Sequence, residues 1–228
     1  SLLREEVNEK SKLDKNRNEQ TGVLNKLSKQ EKQFNQDIKA RRAQQDAIDR
    51  QIRAAIKREI ELARKKAEAE AAEANRIAAA KAENKPAPVV AAVKPKSNSE
   101  VLRATPEAAR LSDSFESNKG SLPSPVANGY ITSKFGTFMF GQAVDKHDGI
   151  TYQTSENAAV RAVFNGKVTT VQPVQGRFWV IINHGEYFTV YQNLKSVSVA
   201  KGDNVTTKET IGTAGLAGDV AEVQFQIH

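Results

Sequence analysis

The chain has 228 residues, a net charge of +7, 39% hydrophobic residues, three His and no Cys. Without cysteine there are no disulfides, thiolate zinc sites or cysteine nucleophiles, and no run approaches the ~20 consecutive apolar residues that a membrane-crossing helix needs. Residues 1–100 hold 23 Lys and Arg against 16 Asp and Glu, with one Gly and one aromatic, whereas residues 101–228 balance at 11 against 11 and hold 12 of the 13 Gly and 13 of the 14 aromatics. A packed core can therefore be built only in the second part. The chain opens on Ser1, shows no signal-peptide pattern and stops at His228, and so reads as a fragment or processed form.

From Leu2 to Asn84 there is no proline, Gly22 is the one glycine, and Ala, Glu, Lys, Gln and Arg dominate. These strong helix formers predict a long helix over 1–84, with Gly22 as a hinge or junction. Steps of three and four residues trace Leu24, Leu27, Glu31, Phe34, Ile38, Arg41, Gln45, Ile48, Ile52 and Ala55, a thin coiled-coil seam that needs a partner or self-association. At 1.5 Å per residue the element reaches ~120 Å, the length of a spacer. Lys and Arg are interleaved with acids, which reads as a solvated face rather than a nucleic-acid surface. Beyond Leu62 the alanine-rich run is expected to be solvated.

Residues 85–105 read as a Pro/Ala/Lys linker. Thr105-Pro106 then carries a helix-start signature, and the spacing predicts an amphipathic helix over 106–118 with Leu111 and Phe115 one turn apart and Gly120 as the stop. That helix is expected either to regulate the following domain by covering it or to buttress it. From Gly129 the period switches to two. A hairpin is expected across Val160–Val168 on Asn165-Gly166, a second across Phe178–Tyr191 on His184-Gly185-Glu186, a turn at Lys201-Gly202-Asp203, and a last strand over Val220–Ile227. Residues 119–228 thus form an antiparallel β domain, and the fold class is a multidomain α+β chain.

Ile131-Thr132-Ser133-Lys134-Phe135-Gly136, His147-Asp148-Gly149-Ile150, Val160-Arg161-Ala162-Val163 with Gly166-Lys167-Val168, His184-Gly185, and Thr189-Val190-Tyr191 occur in this order. With Leu194, Lys201-Gly202-Asp203, Ile211-Gly212 and Phe225, they resemble the lysostaphin/LytM-type zinc endopeptidases of peptidoglycan, of the duplicated-hybrid-motif type. The resemblance implies three zinc ligands and two further catalytic His. His147 stands at the first ligand position, but Thr151 and Gln224 stand at the other two, and Asn193 and Glu222 replace the catalytic His. A hydroxyl and a neutral amide neither hold zinc tightly nor help lower the pKa of its water. The expectation is a domain with no metal, no cofactor and no hydrolytic activity. A rearranged site built from His147, His184 and His228 is the competing arrangement.

A coiled coil, a linker and an emptied LytM-type domain together resemble the EnvC-type activators of murein amidases, in a Bacteroidetes-like version. That resemblance implies a periplasmic protein peripheral to the inner membrane. Its coiled coil would dock on an FtsEX-like division complex, and its groove would bind an N-acetylmuramoyl-L-alanine amidase. The expected groove comprises His147, Thr151, Asn193, Glu222 and Gln224, with Tyr152 and Trp179 as companion aromatics. The competing functions are an active zinc endopeptidase and a peptidoglycan-binding anchor.

Overall fold

The computed structural model describes residues 2–81, 97–140 and 143–228. A first helix, α1 (Leu2–Lys81), runs through Gly22 without a break. The junction expected there does not form, because a lone exposed glycine costs a helix only about 1 kcal/mol and eighty residues of strong formers outweigh it. The chain divides into two compact units, Ser1–Arg53 and Ala54–His228, and the division falls within α1. In the first unit the upstream seam is open to solvent, with Leu24 and Phe34 each 66% exposed, while Ile38, Gln45 and Ile48 are half-buried.

Residues 85–96 of the expected linker lie outside the described residues. Its remainder is not extended, because Asn98–Leu102 forms α2. Ser97 caps this helix: its hydroxyl accepts from Glu100 N at 3.2 Å while Ser97 N donates to the Glu100 carboxylate at 2.6 Å. The helix α3 (Pro106–Ser117) follows, with Thr105 Oγ1 accepting from Ala108 N and Pro106 in the first turn, where no amide proton is needed.

Among the described residues eleven strands follow: β1 (Gly129–Ser133), β2 (Gly136–Phe140), β3 (Ala143–His147), β4 (Ile150–Thr154), β5 (Ala159–Arg161), β6 (Gly166–Val174), β7 (Arg177–Asn183), β8 (Phe188–Val197), β9 (Asn204–Val205), β10 (Thr210–Ala217) and β11 (Val220–Ile227). Nine of them form one sheet in the order β1-β4-β11-β10-β8-β7-β6-β9, with β5 on β10. The strands β2 and β3 form a separate ribbon. β11 forks on one side: Val220–Glu222 pair with β10 and Gln224–Ile227 with β8. These matched pairings are an antiparallel LytM-type β domain preceded by a long helix.

The hairpin expected on Asn165-Gly166 is absent: β5 pairs with β10, not with β6. A two-residue hairpin turn of that kind needs positive φ at both residues, and neither residue has it. Gly166 is required for another reason, since a Cβ there would collide with the Asn183 carbonyl and the His184 ring. The positive-φ pair occurs instead at Gln175-Gly176, which closes β6 onto β7. The hairpin of β7 and β8 and the last strand β11 form as expected.

One face of the sheet builds the main core from Val160, Ala162, Val168, Val180, Ile182, Tyr191, Leu194, Ile211, Val223 and Phe225. The other face of β7 and β8 is buried too, at Trp179, Ile181, Phe188 and Val190. Within the unit Ala54–His228, α1 reaches this side: Glu59, Ala63, Lys66, Ala67 and Glu70 share one cavity with α2, α3 and Lys167, Thr169 and Asn183 of the sheet. Beyond Leu62 the residues through 77 are exposed except Ala63, Arg64 and Ala67. The alanines at 63 and 67 are half-buried because a methyl group lets the helix backbone approach closely.

Candidate functional site

The strands β4, β11 and β8 lie side by side and bring three of the expected positions together. Thr151 is opposite Gln224, and Gln224 is opposite Gln192. Glu222 lies two residues along β11, between Gln153 and Gly215. Period-two alternation puts Thr151, Glu222 and Gln224 on one face, and Tyr152, Val223 and Phe225 on the core face. His147 arrives from the ribbon and is anchored by Ser133 Oγ, 2.9 Å from Nδ1. Ser133 is itself opposite Thr151, and the Phe138 ring sits edge-on to the imidazole at 5.6 Å. Ser133, Gln192 and Gln226 escaped the sequence reading. The alternation Glu222, Gln224, Gln226 in β11 was the signal for the last of these.

Asn193 has a structural task. It adopts φ 64°, a left-handed conformation that Asn tolerates better than most residues, in a bulge of β8. Its Nδ2 donates to Gly215 O at 3.1 Å and Glu222 O at 2.8 Å. One amide thus ties β8, β10 and β11 at the fork beside Glu222.

The resemblance implies a zinc ion, and the donor set at the face does not fit one. Thr151 supplies a neutral hydroxyl, Gln224 a neutral amide, and the Asn193 amide is committed to two carbonyls. Tight zinc sites use thiolate, imidazole or carboxylate donors converging on the ion. Among the described residues no three His, Cys, Asp or Glu side chains group closely enough to hold a metal. The three-His arrangement fails on geometry. His184 is fully buried in the β7–β8 turn, with Nδ1 2.6 Å from Asn165 O and Nε2 2.7 Å from Thr189 Oγ1, and His228 Nε2 is engaged by Gln226 Oε1 at 3.0 Å.

The His184 network explains the His-Gly signature. Because Nδ1 must donate to the Asn165 carbonyl, Nε2 of the neutral ring takes the Thr189 hydroxyl proton. Thr189 Oγ1 lies 3.3 Å from Tyr191 OH, which accepts from Val163 N at 2.9 Å. Burial lowers the His184 pKa to about 4, against the opposing pull of the Asn165 carbonyl. Burial likewise raises Tyr191 to about 12, partly offset by its bonds to Thr189 and Val163. Both groups stay neutral at pH 7.

Helix α3 docks on this network. Phe115 stacks on His184 at 4.9 Å and on Tyr187 at 5.0 Å and meets Phe164 edge-on at 5.4 Å, with Leu111 packed beside it. Glu186 N donates to Ser112 Oγ at 2.9 Å, and Gly185 is glycine because a Cβ would overlap Ser112 and the Ala108 carbonyl. Arg103 ties α2 to both Asp113 of α3 and Glu186, the latter at 3.2 Å. Leu111 and Phe115 thus pack at the β7–β8 turn, and the aromatic partners of Phe115 are Phe164, His184 and Tyr187 rather than Thr151, Glu222 or Gln224. Of the companion aromatics, Tyr152 packs against the core, where burial raises its pKa, and Trp179 is only 4% exposed. Neither offers an open ring to the face.

The model of peptidase family M23 matches residues 145–228. A stretch of 112 residues, 48% of this chain, is 33% identical to the uncharacterized protein NMB1333 of Neisseria meningitidis serogroup B. It covers 18% of that protein, so the chain spans less than a fifth of its relative's length. Among solved structures, a zinc containing peptidase from Vibrio cholerae is 28% identical, with 46% of this chain and 35% of that one covered and a TM-score of 0.40. The catalytic domain of the antimicrobial peptidase lysostaphin from Staphylococcus simulans is 21% identical, with 44% and 80% covered and a TM-score of 0.39. The match to peptidase family M23 thus covers residues 145–228, a little over a third of the chain.

Proposed function

We propose that the chain is a non-catalytic activator of a peptidoglycan N-acetylmuramoyl-L-alanine amidase, with the M23 face serving to bind the amidase rather than to cut. The observation that carries this reading is the chemistry of one face. His147 is bonded by Ser133, which is paired with Thr151, but Thr151 and its partner Gln224 supply a neutral hydroxyl and a neutral amide, and Asn193 serves as a strand tie. Zinc-peptidase chemistry needs a metal-activated water, and a neutral hydroxyl and amide are poor donors for that metal. A face of half-buried polar groups, Thr151, Glu222 and Gln224, suits docking by hydrogen bonds to a partner's polypeptide. In this reading the protein works in the periplasm in cell separation, and α1 carries it to an FtsEX-like membrane complex.

The test is dye release from labelled sacculi by an amidase of the same organism, with and without the chain. Stimulation by the wild type, and its loss in Glu222→Lys with an unchanged melting temperature, is the expected result. Chelator-sensitive release by the chain alone would establish the endopeptidase instead. Sacculus binding without any effect on the amidase would establish the anchor.

A further inference from the structure

The chain contains two Asn-Gly pairs, Asn128-Gly129 and Asn165-Gly166. They occupy matching places in the fold. Each asparagine is exposed and sits in a bend, and each glycine is the first residue of a strand, β1 or β6. In an Asn-Gly pair the backbone nitrogen reaches the neighbouring side-chain carbonyl most easily, because glycine has no Cβ to obstruct the approach. Packing demands the glycine in both places. A Cβ at 129 would lie 2.7 Å from the Gln153 carbonyl oxygen, and one at 166 would lie 2.5 Å from that of Asn183.

The surroundings of the two side-chain amides differ. Asn165 Oδ1 accepts from Thr207 N at 2.7 Å and from Thr207 Oγ1 at 3.0 Å, and the main-chain carbonyl of Asn165 is held by His184 Nδ1 at 2.6 Å. The strand that follows, β6, is paired on both sides, with β7 and β9. The Asn128 side chain has no such anchor among the described residues, and only its main-chain carbonyl is engaged, by the Thr154 hydroxyl. Among the described residues β1 pairs on one side only, with β4, and is bulged between Ile131 and Ser133. Its first residue therefore opens at less cost than that of a strand held on both sides. We propose that Asn128 is a site of spontaneous deamidation, and that the bonds to Thr207 and His184 protect Asn165. The Gly129 nitrogen attacks Asn128 Cγ: a C–N bond forms, the Cγ–Nδ2 bond breaks, and the side-chain amide leaves as ammonia with the Gly129 amide proton. Water then opens the succinimide at either carbonyl. Attack at Cγ leaves aspartate in an ordinary chain, whereas attack at the main-chain carbonyl leaves isoaspartate, with the chain rerouted through the side chain and lengthened by a methylene. Both products add a negative charge. Isoaspartate also displaces the carbonyl that Thr154 bonds, where β1 joins the strand that carries Thr151. This chemistry stands whether or not the chain activates an amidase.

The test is incubation of the full chain at mildly alkaline pH, with peptides mapped by mass spectrometry and isoaspartate counted by an isoaspartate-specific methyltransferase. Conversion at residue 128 is expected to run at least about tenfold faster than at 165, where more hydrogen bonds must break first. In urea, with those bonds gone, the two rates should converge. Asn128→Gln keeps an amide but needs a larger ring, and should abolish conversion at 128 with an unchanged melting temperature. Conversion at 128 no faster than at 165 in the folded chain overturns the proposal. So does a ratio that persists unchanged in urea, because the difference would then lie in the neighbouring sequence and not in the fold.

Discussion

Burial of a neutral imidazole has a measurable consequence. The folded pKa of His184, about 4, lies below the ordinary 6.5, so protonation favours the unfolded chain. Its contribution is complete above pH 6.5 and is lost progressively as pH falls from 6.5 through 4, in total about 3 kcal/mol. Urea melts at pH 7 and pH 4.5 should show this loss, and His184→Gln should start less stable at pH 7 and vary less across the same range. An equal slope in the variant would assign the acid sensitivity to other groups. Asn193 is the other single residue with a sharp expectation. Asn193→Ala removes two part-buried hydrogen bonds to carbonyls and forces a Cβ residue without that compensation into the left-handed region, costing about 2–3 kcal/mol of unfolding free energy by urea titration. Asn193→Gly should recover the backbone part of that loss.

The elements that dock α3 behave as one unit. Phe115→Ala should cost about 3–4 kcal/mol, since the ring is 5% exposed and touches three aromatic partners. Hydrogen exchange should show α3 and the β7–β8 turn opening together in that variant, and protection confined to one of them would contradict the packing. The sequence made this helix readable because Thr105-Pro106 and Leu111/Phe115 are local signals. Its docking site was not readable, because the contacts to His184 and Glu186 bridge some seventy residues. The misread hairpin at Asn165-Gly166 has the same origin: a short-range turn motif was present, but its glycine serves a close approach to His184 and Asn183 made by the tertiary fold. Thr151, Glu222 and Gln224 were singled out only through the resemblance to LytM-type motifs, and period-two alternation in β4 and β11 accounts for their lying on one side. The task of Asn193 was not legible, since a fork between β8 and β10 is a property of pairing rather than of any one strand.

For the whole molecule, in the proposed reading the face lacks metal donors at Thr151 and Gln224, and supplying donors there should confer metal affinity. Thr151→Asp with Gln224→His places a carboxylate and an imidazole on paired positions of β4 and β11, beside the strand that anchors His147. That double variant is expected to bind about one zinc per chain by elemental analysis, while the wild type retains far less than stoichiometric metal after dialysis. The most direct measurement is digestion of purified sacculi by the wild-type chain in zinc-supplemented buffer, with released peptides counted by mass spectrometry. An M23 face that docks a partner but does not cut gives no cleaved cross-links above the buffer control. Cross-link cleavage that rises with enzyme concentration, and that vanishes with a chelator or with His147→Ala, would contradict it.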